Sequence, residues 1–324
     1  MNLKFKNIAH LANKVIVFFN LSKANYWHTV TVCNIEKKVE TLGKYYLDFS
    51  SKIFYPLSFD ANGVPLYQID REKYFYHPIV IAQYALGVYE NMIRGKINDK
   101  ELLLKYLTQA DWFVHNAVKV NSWYSWQLQF DLKDYGLYSP WYSAMAQGEA
   151  ISVLTRAYSL TGEKKYLDLC EQSIGAFFVK VKDGGFLNYF QDFRIYEEYP
   201  SPIKTNGVLN GFIFSLFGLY DLYLVNKNSL AFQLFTDGIH SLKNLIKFYD
   251  SGHWSRYYLF DYPKVYHSSF TYHEIVINQL KALYFLTNED IFLSYSMKWA
   301  KYRDSIPNRT RALLSKLFYA RTLS

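Results

Sequence analysis

Cysteine is almost missing from this chain. Cys33 and Cys170 are its two cysteines, far apart and without the spacing of a metal knuckle, which argues against a disulfide framework. Long apolar runs are missing too. No stretch approaches the roughly 18 consecutive apolar residues of a membrane-spanning helix, so no integral membrane segment is expected. There is no glycine-rich phosphate loop, no Gly-x-Ser-x-Gly elbow and no Cys-x-x-Cys pair. His273-Glu274 lacks the second histidine of a zinc-protease helix, so neither metal nor cofactor is expected. The opening stretch, "MNLKFKNIAHLANKVIVFFNLS", puts basic residues before the short apolar run "VIVFF" without a clear small-residue cleavage site, a poor secretory signal. The expected location is therefore the cytoplasm or the periphery of a membrane, with the secretory lumen as the alternative.

Tyrosine is what the chain has in excess: 31 tyrosines and 25 phenylalanines stand against four methionines. A tyrosine offers a flat apolar face and a polar tip, which suits a surface that grips sugar rings or bases. The plainer reading is a core rich in aromatics, and both contribute. Lys and Arg number 36 against 28 Asp and Glu, a formal charge of +8. That excess favours polyanionic partners, but no basic run is long enough to choose among nucleic acid, a membrane surface and an acidic polysaccharide.

Four segments look alike: "IVIAQYALGVYE" (79–90), "SAMAQGEAISVLTRAY" (143–158), "VLNGFIFSLFGLYDL" (208–222) and "IVINQLKALYFLT" (275–287). Anchored on Gln83, Gln147, Gly211 and Gln279, they recur about every 65 residues, and a second segment of helical period follows each. The first helix of each pair is apolar nearly all round and belongs inside; the second is amphipathic and belongs outside. An open solenoid would need polar capping repeats, which are not seen. The expected fold is mainly α: an α/α toroid, a complete or incomplete α/α barrel of helical hairpins. Residues 61–324 would form it and residues 1–60 would be a leading extension.

The connections 121–141, 182–200 and 250–273 are long and packed with aromatics, which suggests short strands or binding loops over one end of the ring. "YEEYPSP" places Glu197, Glu198 and Tyr199 before Pro200 and Pro202. Neighbouring side chains of an extended segment point to opposite sides, so one glutamate is expected in the cleft and the other in solvent. A solvated pair ending a loop is the plainer alternative. "WSRYY" sets Arg256 beside Tyr257, where an arginine could hold a carboxylate in two bonds or simply stack on the surface. Tyr272 and His273 stand just ahead of the fourth inner helix, whose positive end favours an anion. Tyrosine, glutamate, histidine and arginine without metal fit proton abstraction beside a carboxylate. The hydrogen on C5 of a uronate is acidified only by that carboxylate, which a cation or neutral acid must neutralise as the enolate forms. Returning the proton to the other face gives an epimerase; expelling the C4 oxygen gives a lyase.

The motifs "NGVPLYQ…YFYHPIVIAQYALGVY", "WYSAMAQGEAISVLTRAY", "EEYPSPIKTNGVLNGFIFSLFGLYDL" and "YHEIVINQL" closely resemble the D-glucuronyl C5-epimerases, from about residue 60 to about residue 302. The resemblance implies an α/α toroid that acts on uronates already within a polysaccharide, converting D-glucuronate to L-iduronate in heparan-type chains. Alternatives are a uronate lyase or a non-catalytic protein that binds acidic glycans. The family's "EEYP" glutamate and tyrosine fall on Glu198 and Tyr199, and its two later tyrosines on Tyr257 and Tyr272; these are the expected catalytic groups, with Tyr257 and either Tyr199 or Tyr272 as the proton-exchanging pair, Glu198 assisting and Arg256 holding the carboxylate. Arg256, His273, Glu197, Asn210, Tyr142, Gln147 and Tyr76 are the expected substrate-binding set. The sequence departs from the family where "YDLRH" reads "YYLFD", without its arginine, and where a histidine is replaced by Val276. The implied partner is an acidic, glucuronate-containing polysaccharide; no nucleic-acid motif is found, and a homodimer is left open.

Overall fold

A computed structural model describes Phe18 and residues 32–68, 73–95, 100–260 and 264–322. The weak leader-like stretch lies outside these residues except for Phe18, and so does Asp261 at the end of "YYLFD".

The apolar, helical-period segments become four antiparallel hairpins: α1 (Pro78–Arg94) with α2 (Lys100–His115), α3 (Ala144–Thr161) with α4 (Lys164–Ser173), α5 (Leu209–Asn226) with α6 (Ser229–Leu245), and α7 (Phe270–Thr287) with α8 (Asp290–Asp304). Local chemistry sets their ends. Pro78 opens α1, where its missing N–H costs nothing. Ser143, Asn228 and Ser269 start α3, α6 and α7 by accepting hydrogen bonds from Ala146, Ala231 and Tyr272 amides. Gly162 and Asn288 end α3 and α7 in the left-handed region. The first helix of each pair is buried on most faces; α4 and α6 bury only one stripe. α1, α3, α5 and α7 pack side by side in that order, and their apolar side chains fill the main core. A further helix, α9 (Ile306–Thr322), was not expected from the sequence; it packs on α8.

The chain ahead of residue 61 runs into this core. Tyr45, Tyr46, Leu47 and Phe49 belong to the same hydrophobic cluster as the inner helices. Polar contacts tie the segment to each of those four helices. Arg94 pairs with Asp48 at 2.8 Å, the Arg156 guanidinium donates to the Gly43 carbonyl, Tyr46 donates to Asp221 at 2.8 Å, and the Cys33 amide donates to Asn278. Arg156 and Asp221 also form a buried ion pair of 2.7 Å between α3 and α5. Removing either partner would strand a charge in apolar surroundings.

Three small antiparallel sheets occupy the connections near one end: β1 (Ser58–Phe59), β2 (Pro65–Gln68) and β3 (Tyr74–Tyr76); β4 (Val118–Val120) with β5 (Trp123–Ser125); and β6 (Leu187–Phe190) with β7 (Phe193–Tyr196). Gln191 and Asp192, both at positive φ, turn the last hairpin as a two-residue loop of right-handed twist requires. The third aromatic connection, 250–273, has isolated bridges, Asp250 to Ser255 and Arg256 to His267, in place of named strands.

Candidate active site

The inner helices present their N-terminal turns to one cavity of about 300 Å³. Ile79, Val80 and Gln83 come from α1, Met145 from α3, Asn210 and Phe214 from α5, and Tyr272 and Ile275 from α7. The partial positive charge at each helix start adds to the next, so the cavity favours an anion before any side chain is counted. Tyr272 and His273 lie inside α7, which begins at Phe270, rather than ahead of it. The aromatic connections add Phe130, Trp141, Glu198 and Tyr199 to the walls.

After β7 the extended chain turns Glu197 and Glu198 to opposite sides. Glu198 lines the cavity and is 4% exposed, with its Oε2 3.5 Å from the Asn210 amide nitrogen. Gly211 makes room for it: a Cβ there would collide with the Glu198 carboxylate. Glu197 departs from expectation, because it is fully buried rather than solvated. It accepts hydrogen bonds from the Asn206 and Gly207 amides at 2.9 and 3.0 Å and from Asn188 at 3.2 Å. It thereby fixes the loop that carries Glu198 and Tyr199. Burial pushes both carboxyls up to about 7, against the hydrogen bonds that favour their ionised forms.

The tyrosines gather beside Glu198. The hydroxyls of Tyr199 and Tyr257 are 3.5 Å apart, and the Tyr257 and Tyr272 rings are 5.1 Å apart at 59°. Tyr135 and Trp141 pack on Tyr199, at 4.5 and 6.0 Å between ring centres. Burial first, and then the Glu198 charge, raises the Tyr199 hydroxyl well above the usual phenol range; burial and the neighbouring Tyr199 do the same to Tyr257. Both hold their protons near neutral pH and are suited to donate one.

Groups the sequence did not single out complete the site. Lys52 lines the cavity at 3% exposure, and burial pulls its ammonium down to about 7 against the attraction of Glu149. Glu149, on α3, accepts a 2.8 Å hydrogen bond from Gln83, while its Oε2 has no hydrogen-bond partner among the described residues. Burial raises it well above the ordinary carboxylate range. His77, stacked on Phe130, is pulled down to about 4 by burial and is neutral at pH 7. No local pattern marks Lys52 in "FSSKIF"; only its long-range packing does.

Other expected site residues lie elsewhere. Arg256 does not line the cavity and donates to the Lys264 carbonyl at 2.6 Å. His273 is sealed in the core, stacked on Trp254 with ring centres 3.7 Å apart. Its Nδ1 accepts from the Ser255 amide, which leaves Nε2 to donate to the Trp299 carbonyl at 3.1 Å. Gln147 uses its amide on Ser125, Tyr124 and Ser173, bracing α3 against β5 and α4. The Tyr142 hydroxyl meets Gln127. Tyr76 donates to Asp60 beside Trp112, in a separate open depression. Among the described residues, no group of three or more His, Cys, Asp or Glu side chains could hold a metal ion, and no helix is long and apolar enough to cross a membrane.

Residues 120–301, more than half of the chain, match the family model of the D-glucuronyl C5-epimerase C-terminus. The chain is 32% identical over 216 residues to a D-glucuronyl C5-epimerase of Caenorhabditis elegans, covering 61% of this chain and 34% of the nematode protein. It is also 32% identical over 181 residues to an uncharacterised protein of Methanocaldococcus jannaschii, covering 54% of this chain and 56% of that one. The chain thus spans between about a third and a little over half the length of these relatives. The extent of the family match and the shared identity show that the chain belongs to the D-glucuronyl C5-epimerase family.

Proposed function

We propose that this chain epimerises uronate residues within an acidic polysaccharide at C5, turning D-glucuronate into L-iduronate, in a cavity at one end of a closed α/α toroid. The observation that carries this reading is Glu198, a buried carboxylate beside clustered tyrosines where inner-helix N-termini converge. Glu198 takes the C5 proton, and the C–H electron pair moves into the carboxyl group to give an enediolate. A tyrosine of the group Tyr199, Tyr257 and Tyr272 then protonates C5 from the opposite face as the electron pair returns, which inverts the carbon. The sequence suggested a tyrosine pair for both transfers. The raised Tyr199 and Tyr257 hydroxyls favour donation over abstraction, so the base role falls to Glu198. The aromatic walls of Trp141 and Tyr199, tilted at 58° to each other, suit a sugar face.

Incubation of the protein with heparosan or another glucuronate polymer in D2O tests the reading by NMR. Deuterium at C5 with iduronate signals is expected. Unsaturated, ultraviolet-absorbing chain ends would assign the lyase step instead, and an unlabelled polymer would exclude both.

A further inference from the structure

A C5 proton leaves only if the adjacent carboxylate is held by a positive group, because the enediolate places a second negative charge on its oxygens. Arg256, the cation nearest in sequence to Tyr257, is directed to the Lys264 carbonyl and does not line the cavity. Lys52 is the one lysine or arginine among the described residues that do. It stands on a short helical turn, Ser50–Phe54, in the segment threaded against the inner helices. Gly87 seats that turn on α1: a Cβ there would come within 2.6 Å of the Phe49 carbonyl and 3.5 Å of the Lys52 Cβ. Asn91 holds the same turn by donating to the Ser50 carbonyl at 2.8 Å. The lysine is thus positioned by backbone packing, and its 3% exposure leaves its head group within the protein.

We propose that Lys52 receives the substrate carboxylate, so that the cavity accepts hexuronate residues and rejects the neutral hexoses of the same shape. This rests on the epimerase reading of the same cavity. The titratable groups that share its cavity include Glu198 from the loop after β7, His77 ahead of α1, Tyr272 from α7 and Asp131 from the 121–141 connection; Glu149 of α3 attracts it, and the Phe49 ring centre lies 4.9 Å from its ammonium. His77 is neutral at pH 7, Gln83 engages one Glu149 oxygen at 2.8 Å, and the attraction of Glu149 favours the charged lysine. The carboxylate docks on the ammonium, and as Glu198 withdraws the C5 proton the growing charge on the carboxyl oxygens is stabilised where it appears. Docking stabilises the charged lysine and also the protonated Glu198, and both lie at about 7, so binding a uronate should draw protons from solution near pH 7 to 8, the lysine's share being the part that Lys52→Met loses.

The test is calorimetric titration of the protein with a heparosan oligosaccharide and with its carboxyl-reduced counterpart, in buffers of different ionisation enthalpy. Wild-type protein is expected to take up a fraction of a proton with the uronate ligand and none with the reduced one. Lys52→Met should lose roughly 10–100-fold in uronate affinity, the scale of a hydrogen bond to a charged group, without weakening on the reduced ligand; Lys52→Arg should retain part of it. Uronate binding by folded Lys52→Met at undiminished affinity overturns the assignment even if C5 exchange is intact. Loss of affinity in Lys52→Met together with no C5 exchange by wild type upholds the lysine and overturns the epimerase reading. Absence of any uronate binding by wild type overturns both. If Lys52→Met fails to fold, Lys52→Gln, which keeps a polar head group without the charge, decides by the same comparison of the two ligands, and undiminished uronate affinity in it overturns the assignment.

Discussion

In the proposed reaction Glu198 and the tyrosines carry different halves of one proton exchange, and substitution separates them. Glu198→Gln is expected to lower C5 exchange by roughly 10²–10⁴-fold, the usual contribution of a positioned base. It should also stabilise the protein at high pH. The folded Glu198 is raised to about 7 from about 4.5, so its favourable contribution is complete below about 4.5 and is lost as pH rises through about 7. Glu198→Gln should therefore melt with wild type at pH 4 and be more stable at pH 8 by roughly 1–3 kcal/mol in denaturant titrations. Equal stability at both values would show that burial does not disfavour this carboxylate. Phe at Tyr257 or Tyr272 should raise the barrier by roughly 3–5 kcal/mol while the protein stays folded by circular dichroism. Wild-type exchange in both variants, and in Tyr199→Phe as well, would remove the tyrosines from the reaction. At this scale the sequence was legible where position follows from one short motif, as with Glu198 and Tyr199, which both line the cavity. It was not where chemistry comes from packing. Glu197 is buried because the Asn206 and Gly207 amides fold back onto it, and Lys52 because its turn seats on Gly87.

The hairpins could be read from apolar periodicity because each inner helix is buried on most sides, which leaves a run no loop would carry. The boundary of α7 was misplaced because Phe270 to His273 read as an aromatic loop; its Ser269 cap lies four residues before His273. The helix α9 escaped notice since its mixed charged and apolar pattern gives no strong stripe. The role of the segment 33–57 also escaped, because contacts such as Tyr46 to Asp221 span 175 residues of sequence. That segment depends on the buried Arg156–Asp221 pair. Asp221→Asn removes the countercharge of a fully buried guanidinium and is expected to cost roughly 3–5 kcal/mol in chemical denaturation. A loss below about 1 kcal/mol would mean that Arg156 finds other acceptors as good.

For the molecule as a whole, inner-helix N-termini, a buried lysine and a protonatable carboxylate meet at one end of a helical scaffold whose other contacts hold the segment bearing that lysine. The proposed reaction needs free enzyme with Glu198 ionised and Lys52 charged, and both lie at about 7, so kcat/KM should be bell-shaped with both limbs near neutrality. Binding should weaken with salt, because the +8 net charge attracts a polyanion over a distance that salt shortens. The family match covers the part of the chain that carries Glu198, Tyr199, Tyr257 and Tyr272, whereas Lys52 lies ahead of it. The most direct measurement is C5 deuterium incorporation into a glucuronate polymer by wild-type and Glu198→Gln protein, side by side in D2O. Exchange with iduronate formation by wild type, lost in folded Glu198→Gln, is the predicted result. Equal exchange by the two proteins, or none by wild type on any glucuronate polymer, would contradict it.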